Sequence, residues 1–349
     1  EEAGRVAITS KEDFNETLNK SIKYKDWSSL SLKKRCSLVN KYRKVIARNG
    51  EHIQKVLESE TGKKDFDVFI EYFTVLEHLK QIPKIARKAL KKDSRSSGLM
   101  KNKKSYVVYE PLGVAGVISP WNYPLATPII SSIEALISGN NVILKPSEHT
   151  PLTSKIAKDL WDEHIGYEEA FQLVNGKGDV GGMIVESEKI DVVCFTGSTK
   201  VGRGIAEKCA FQLKPVILEL GGKDPMIVLK DADINRAVES AAFGGLSNAG
   251  QTCISTEEIF VESEICDKFI DAMSQKIKSI SSGNNKSDDL GPMIVPETME
   301  KVKQHIDQTK QICSIVEGGA IDKNKYVAPN KIKPINSKVN WTPAFLFFT

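Results

Sequence analysis

Apolar side chains recur at three- and four-residue intervals through Leu32, Cys36, Val39, Tyr42, Val45 and Ile46, a spacing that predicts an amphipathic helix. A second such run passes through Phe69, Phe73, Leu76 and Leu79, and Pro83 is expected to end or kink it. The stretch from Lys84 to Lys104 is rich in Lys and Arg without interleaved aromatics, and reads as a solvated helix face and connector. At Tyr106 the pattern changes. Short apolar runs at Val114–Ile118, Asn141–Leu144, Phe171–Val174, Asp191–Phe195 and Pro215–Leu218 predict strands. They alternate with helix-period segments over Pro128–Ile137, Thr153–His164 and Val201–Ala210. This alternation predicts a mostly parallel sheet with helices on both faces. After Gly222 the alternation begins again, with strands at Pro225–Leu229 and Glu258–Val261 and helices over Ala232–Phe243 and Asp267–Ile280. The break divides the chain into residues 1–220 and 221–349.

The polar residues that interrupt this pattern follow the strands. Pro120-Trp121-Asn122-Tyr123-Pro124 follows the first strand and Lys145-Pro146-Ser147-Glu148 ends the second. Gly176 and Gly178 follow the third, Thr196-Gly197-Ser198-Thr199 the fourth, and Glu219-Leu220-Gly221-Gly222-Lys223 ends the fifth. Open α/β sheets bind ligands at these carboxyl ends. Further on, Gly250-Gln251-Thr252-Cys253 places a thiol in a Gly-marked turn. A thiolate adds to carbonyl carbon, and Cys253 is the candidate nucleophile. Glu219 is the candidate general base, and Asn122 supplies a non-titrating donor for an oxyanion beside the Cys253 N–H. Lys145 and Glu148 suit ribose hydroxyls, and the Glu148 charge disfavours a 2′-phosphate. Gly197 and Ser198 open a helix whose amides suit a pyrophosphate, although the run is neither GxGxxG nor a P-loop. Each residue alone has a plainer reading: a core thiol, a strand-end Glu paired to a Lys, a turn Asn between prolines.

Composition narrows the class. The chain has 349 residues, 40% hydrophobic and 27% charged, which fits a soluble globular protein of two domains. A net charge of +4, from 49 basic and 45 acidic residues, argues against nucleic acid as a partner. Glu1-Glu2-Ala3-Gly4 carries no signal-peptide pattern, and no apolar stretch has the length of a membrane span. Cys36, Cys194, Cys209, Cys253, Cys266 and Cys313 form no CxxC pair, so reduced thiols in a cytoplasm are expected, all but Cys253 packing as small hydrophobes. His52, His78, His149, His164 and His305 lack metal-ligand spacing, and no metal is expected.

Together, the motifs around Asn122, Lys145, Gly197, Glu219 and Cys253 resemble the NAD(P)-dependent aldehyde dehydrogenase superfamily. The resemblance runs from about Lys33 to about Gly319 and is strongest from Tyr106 to Val261. It implies a doubly wound parallel-sheet cofactor domain with N-terminal helices over 1–220, joined to a second, incomplete α/β catalytic domain over 221–349. It also implies that Cys253 attacks an aliphatic aldehyde or semialdehyde, that hydride passes to a nicotinamide, and that Glu219 activates the water that releases a carboxylic acid. Glu219 argues against the CoA-acylating branch. By resemblance, NAD, with NADP as the second candidate, is held by Pro120, Trp121, Lys145, Ser147, Glu148, Gly178, Phe195, Thr196, Gly197, Ser198, Leu220 and Gly221. Members are usually homodimers or homotetramers. At the carboxyl end, Gly318-Gly319 and Tyr326-Val327-Ala328-Pro329 still follow the family, whereas Trp341 to Thr349 is apolar and unpatterned. The family's Glu-x-Phe-Gly-Pro segment and oligomerisation strand do not appear. The expectation is a truncated catalytic domain with exposed apolar surface and little activity, the competing reading being an inactive nucleotide-binding or interaction protein.

Overall fold

The computed structural model describes residues 3–283, 285–317, 331–334 and 341–345, so the Gly318-Gly319 and Tyr326–Pro329 segments lie outside the described residues. The chain forms two compact units, residues 1–60 with 69–220, and residues 61–68 with 221–349. The excursion at 61–68 has no counterpart in the hydrophobic pattern.

The elements run α1 (Lys11–Lys23), α2 (Asp26–Ser29), α3 (Leu32–Arg48), α4 (Gly50–Thr61) and α5 (Asp65–Ala89). Five of the six apolar positions that predict α3 are buried, and Leu32, in its first turn, packs half-buried against the same core. In α5 the buried stripe is Tyr72, Val75, Leu79, Ile82 and Ala86. Phe69 and Phe73 instead stack on each other, rings 5.8 Å apart, at the surface. Pro83 does not end this helix, which continues to Ala89. An interior proline costs about 3 kcal/mol, and burial of Leu79, Ile82 and Ala86 on either side of it offsets that. The basic stretch is not only a connector: β1 (Asp93–Arg95) and β2 (Ser105–Val107) pair antiparallel, and Lys92 lies over the Tyr106 ring at 3.7 Å.

From there strand and helix alternate. β3 (Val114–Ile118), α6 (Ala126–Ile137), β4 (Asn141–Lys145), α7 (Pro151–His164), β5 (Phe171–Leu173), α8 (Gly178–Glu186), β6 (Val192–Gly197), α9 (Thr199–Phe211) and β7 (Val216–Leu220) complete the first unit. The sheet order is β5-β4-β3-β6-β7, every pair parallel. Winding reverses between β3 and β6, the switch point of a doubly wound sheet. β3 and β4 are buried throughout, which is why they read as continuous apolar runs. Alternate residues serve opposite faces. Ala115, Val117, Val142 and Leu144 join the core with α3, α5, α6 and α7, and Val114, Ile118, Ile143 and Val193 join the core with α1, α8 and α9. Trp27, Tyr42, Trp161 and Phe171 pack edge to face in the first of these cores.

The second unit holds β8 (Asp224–Val228), α10 (Ile234–Leu246), β9 (Thr256–Glu262), α11 (Ser263–Lys278), α12 (Pro296–Ile312), β10 (Cys313–Glu317), β11 (Lys331–Pro334) and β12 (Trp341–Phe345). Its sheet order is β10-β11-β12-β9-β8. Only β8 and β9 are parallel, and the other pairs are antiparallel. The segment from Trp341, unpatterned in sequence, is thus a strand paired with β9 from Trp341↔Glu262 to Phe345↔Glu258. A separate core of Val228, Val238, Ala241, Val261, Phe269 and Met273 fills this unit. Among the described residues no helix is long and apolar enough to cross a membrane.

Candidate active site

In the first unit, the sequence-selected residues gather at the carboxyl end of the parallel sheet. Register places Ile118 beside both Lys145 and Phe195, Thr196 beside Glu219, and Gly197 beside Leu220. Asn122, Trp121 and Pro120 lie in the turn between β3 and α6, Ser147 and Glu148 between β4 and α7, and Gly221 just after β7. Glu219 is exposed on β7. The Asn122 turn is tied on several sides. Thr150 Oγ1 donates to Trp121 O at 3.4 Å, Ser154 Oγ to Pro124 O at 3.0 Å, and the Leu125 and Ala126 amides to Glu71 Oε1 at 2.8 and 3.0 Å.

Lys145 is buried, donates from Nζ to Pro146 O at 2.7 Å and lies 3.5 Å from the Glu148 carboxylate. Burial pushes its ammonium below the usual lysine range, and Glu148 partly restores it. Cys194, on β6, is half-buried. Burial pushes its thiol up, a Ser131 hydrogen bond works against this, and the charges of Glu134 and Glu219 add to the rise. Two helix N-termini meet this end of the sheet. Ser198 caps α9 by accepting from Val201 N at 3.4 Å. α8 has no side-chain cap, and Gly178 at its start opens onto free space. Its first amides and dipole suit an anionic group. A Cβ on Gly197 would sit 2.5 Å from the Phe195 ring, so a larger residue there would have to push that buried ring aside.

In the second unit, Cys253 is exposed at the tip of the turn between α10 and β9. The approach is unusual backbone: Asn248, Ala249 and Gly250 take φ of 56°, 54° and 74°, successive left-handed residues. That conformation is strained for Ala249 and persists only where its surroundings fix it. They do so through buried amides. Asp67 Oδ1 accepts from Asn248 N at 2.9 Å, and Asn248 Nδ2 donates to Gln251 O at 3.0 Å. Gln251 Nε2 donates to Asn248 O at 3.0 Å and Pro292 O at 3.3 Å, while its Oε1 accepts from Ile294 N at 2.9 Å. In the sequence Gln251 is one letter of the Gly250–Cys253 motif, and nothing marks Asp67, whose contact spans 181 residues.

The aldehyde dehydrogenase family profile matches residues 1–338. The chain is 34% identical over 286 residues to D-glyceraldehyde dehydrogenase (NADP(+)) of Picrophilus torridus, covering 81% of this chain and 57% of that protein. It is also 34% identical over 299 residues to a Mycolicibacterium smegmatis protein named provisionally as a succinate-semialdehyde dehydrogenase [NADP(+)], covering 84% and 57%. The chain therefore spans little more than half the length of these relatives. Betaine aldehyde dehydrogenase from Staphylococcus aureus, solved with NAD+, superposes with a TM-score of 0.88 at 29% identity, over 94% of this chain and 67% of that one. Family profile and relatives place the chain plainly: it belongs to the aldehyde dehydrogenase family.

Proposed function

We propose that the chain oxidises an aliphatic aldehyde or semialdehyde to the carboxylic acid with NAD(P). The observation that carries this reading is Cys253, an exposed thiol on a loop held in strained left-handed backbone by buried polar bonds. Such fixed backbone is a mark of functional loops. The doubly wound sheet, the uncapped start of α8 and the buried Lys145 fit a dinucleotide at the carboxyl end of the first sheet.

In this reading the Cys253 thiolate adds to the aldehyde carbon. A C–S bond forms, and the carbonyl π pair moves to oxygen. The Asn122 amide and the Cys253 N–H donate to that oxyanion, and neither has to titrate. A bound oxidised nicotinamide supplies the acceptor for the hydride. The thioester left on Cys253 is then hydrolysed. Glu219 takes a proton from water, hydroxyl adds to the acyl carbon, and the C–S bond breaks to return the thiolate and release the acid. Lys145 and Glu148 hold the adenosine ribose. The Glu148 charge disfavours a 2′-phosphate, Lys145 lies 3.5 Å from it, and two relatives are named for NADP, so both nucleotides are candidates.

The test is aldehyde-dependent formation of reduced nicotinamide, followed by its near-ultraviolet absorbance, with a panel of aldehydes and each nucleotide. Turnover that disappears in Cys253→Ala is the expected result. Folded protein that binds nucleotide but turns over no aldehyde would replace the enzyme with a binding module.

A further inference from the structure

Helices α6 and α7 each follow a ligand loop, and neither supplies its own cap. Leu125 and Thr150, at their N-cap positions, make no side-chain cap bond. The first N–H groups of a helix need partners. Here the partners are carboxylates from far away in sequence. Glu71 is 1% exposed, and a single oxygen, Oε1, accepts from both Leu125 N and Ala126 N. Glu60 accepts from Leu152 N at 2.5 Å, Thr153 N at 2.9 Å and Thr153 Oγ1 at 2.6 Å. Both residues lie in the first unit.

Burying a carboxylate is costly unless charge-assisted bonds satisfy it. Leu125 is already helical and Thr150 gives its hydroxyl to Trp121 O, so neither helix start is capped locally. The helices are seated from outside instead, directly behind the Asn122 turn and the Lys145–Glu148 turn. The Glu71 charge adds to the rise that burial causes in Glu60.

We infer that Glu71 and Glu60 are positioning residues, Glu71 fixing the turn that aims Asn122 and Glu60 fixing the turn that presents Lys145 and Glu148. The inference deepens the proposed function and rests on it for the roles of Asn122 and Lys145, while the seating of each turn is tested without turnover.

The experiment compares wild type with Glu71→Ala, Glu71→Gln and Glu60→Ala. Amide hydrogen exchange is followed over residues 120–127 and 145–153. Affinity for NAD and NADP is read from quenching of tryptophan fluorescence. Glu71→Ala is expected to speed exchange in 120–127 roughly tenfold, the scale of a lost helix cap, and to weaken nucleotide binding less than Glu60→Ala does. Glu71→Gln keeps an acceptor oxygen for both amides and is expected to restore slow exchange. Glu60→Ala is expected to speed exchange in 145–153 and weaken nucleotide binding about tenfold. Where turnover is measurable, Glu71→Ala lowers kcat by a larger factor than it raises the nucleotide KM. Exchange that rises evenly across the first unit, or that rises as much in Glu71→Gln as in Glu71→Ala, overturns the inference. Wild type without aldehyde oxidation removes the dehydrogenase reading, while the exchange results still decide the seating.

Discussion

Thiol reactivity follows exposure and thiolate character. Among the cysteines whose side chains are described, Cys36, Cys209 and Cys266 are buried, and Cys194 is half-buried with its thiol pushed up by burial. Cys253 alone of these is exposed. One equivalent of iodoacetamide at neutral pH is therefore expected on Cys253, found by peptide mapping. Labelling that begins at Cys194 would contradict the site assignment. Glu60 yields a second residue-level prediction. Burial lifts its carboxyl above the ordinary 4.5, though bonds from Thr153 and Leu152 oppose the rise. The folded state thus holds this proton where the unfolded chain has released it. Its contribution to stability is complete below pH 4.5 and is lost as pH rises through the folded value. Urea midpoints of wild type and Glu60→Gln, measured across that range, should diverge in favour of wild type as pH falls. A difference independent of pH would show that Glu60 titrates normally.

At the scale of elements, α9 ends with a side chain in the wrong backbone region for its type. Leu213 has φ 55° and is 91% exposed, while its N–H reaches Ala210 O and Lys214 N reaches Cys209 O. This helix stop favours glycine. Leu213→Gly relieves the left-handed strain and removes a solvated leucine, so stability should rise by about 1 kcal/mol. A fall in melting temperature would mean that the leucine packs in solution. The central strands and α3 were legible in sequence because each buries a regular set of its own apolar residues. β1 and β2 were not, since a short exposed ribbon carries no apolar period. β12 was not either, because its identity comes from pairing with β9 and not from alternation. The candidate site divides in the same way. Asn122, Lys145, Glu219 and Cys253 stand in contiguous motifs. Glu60, Glu71 and Asp67 act across 92, 54 and 181 residues, and only the fold shows what they hold.

At the scale of the whole molecule, the cores do not share residues. The first unit closes around two clusters on the faces of its parallel sheet, and the second around α10, α11, β8 and β9. Separate cores favour separate cooperative transitions in denaturant. Tryptophan gives a way to see them. Trp27 and Trp161 are fully buried in the first unit, and Trp121 lies in its Asn122 turn, so fluorescence reports mainly on that unit. Far-ultraviolet circular dichroism reports on both. The two curves should not coincide. On the proposed placement at the carboxyl end of the first sheet, NAD(P) should then move the fluorescence transition alone. At a hundredfold excess over its dissociation constant, nucleotide stabilises the binding state by about 2.7 kcal/mol. The second transition, seen by circular dichroism after the fluorescence change is complete, should stay in place. Coincident curves that shift together would show one cooperative block. A shift confined to the second transition would put the nucleotide on the thiol-bearing unit and overturn the placement argued from Lys145, Gly178 and Gly197.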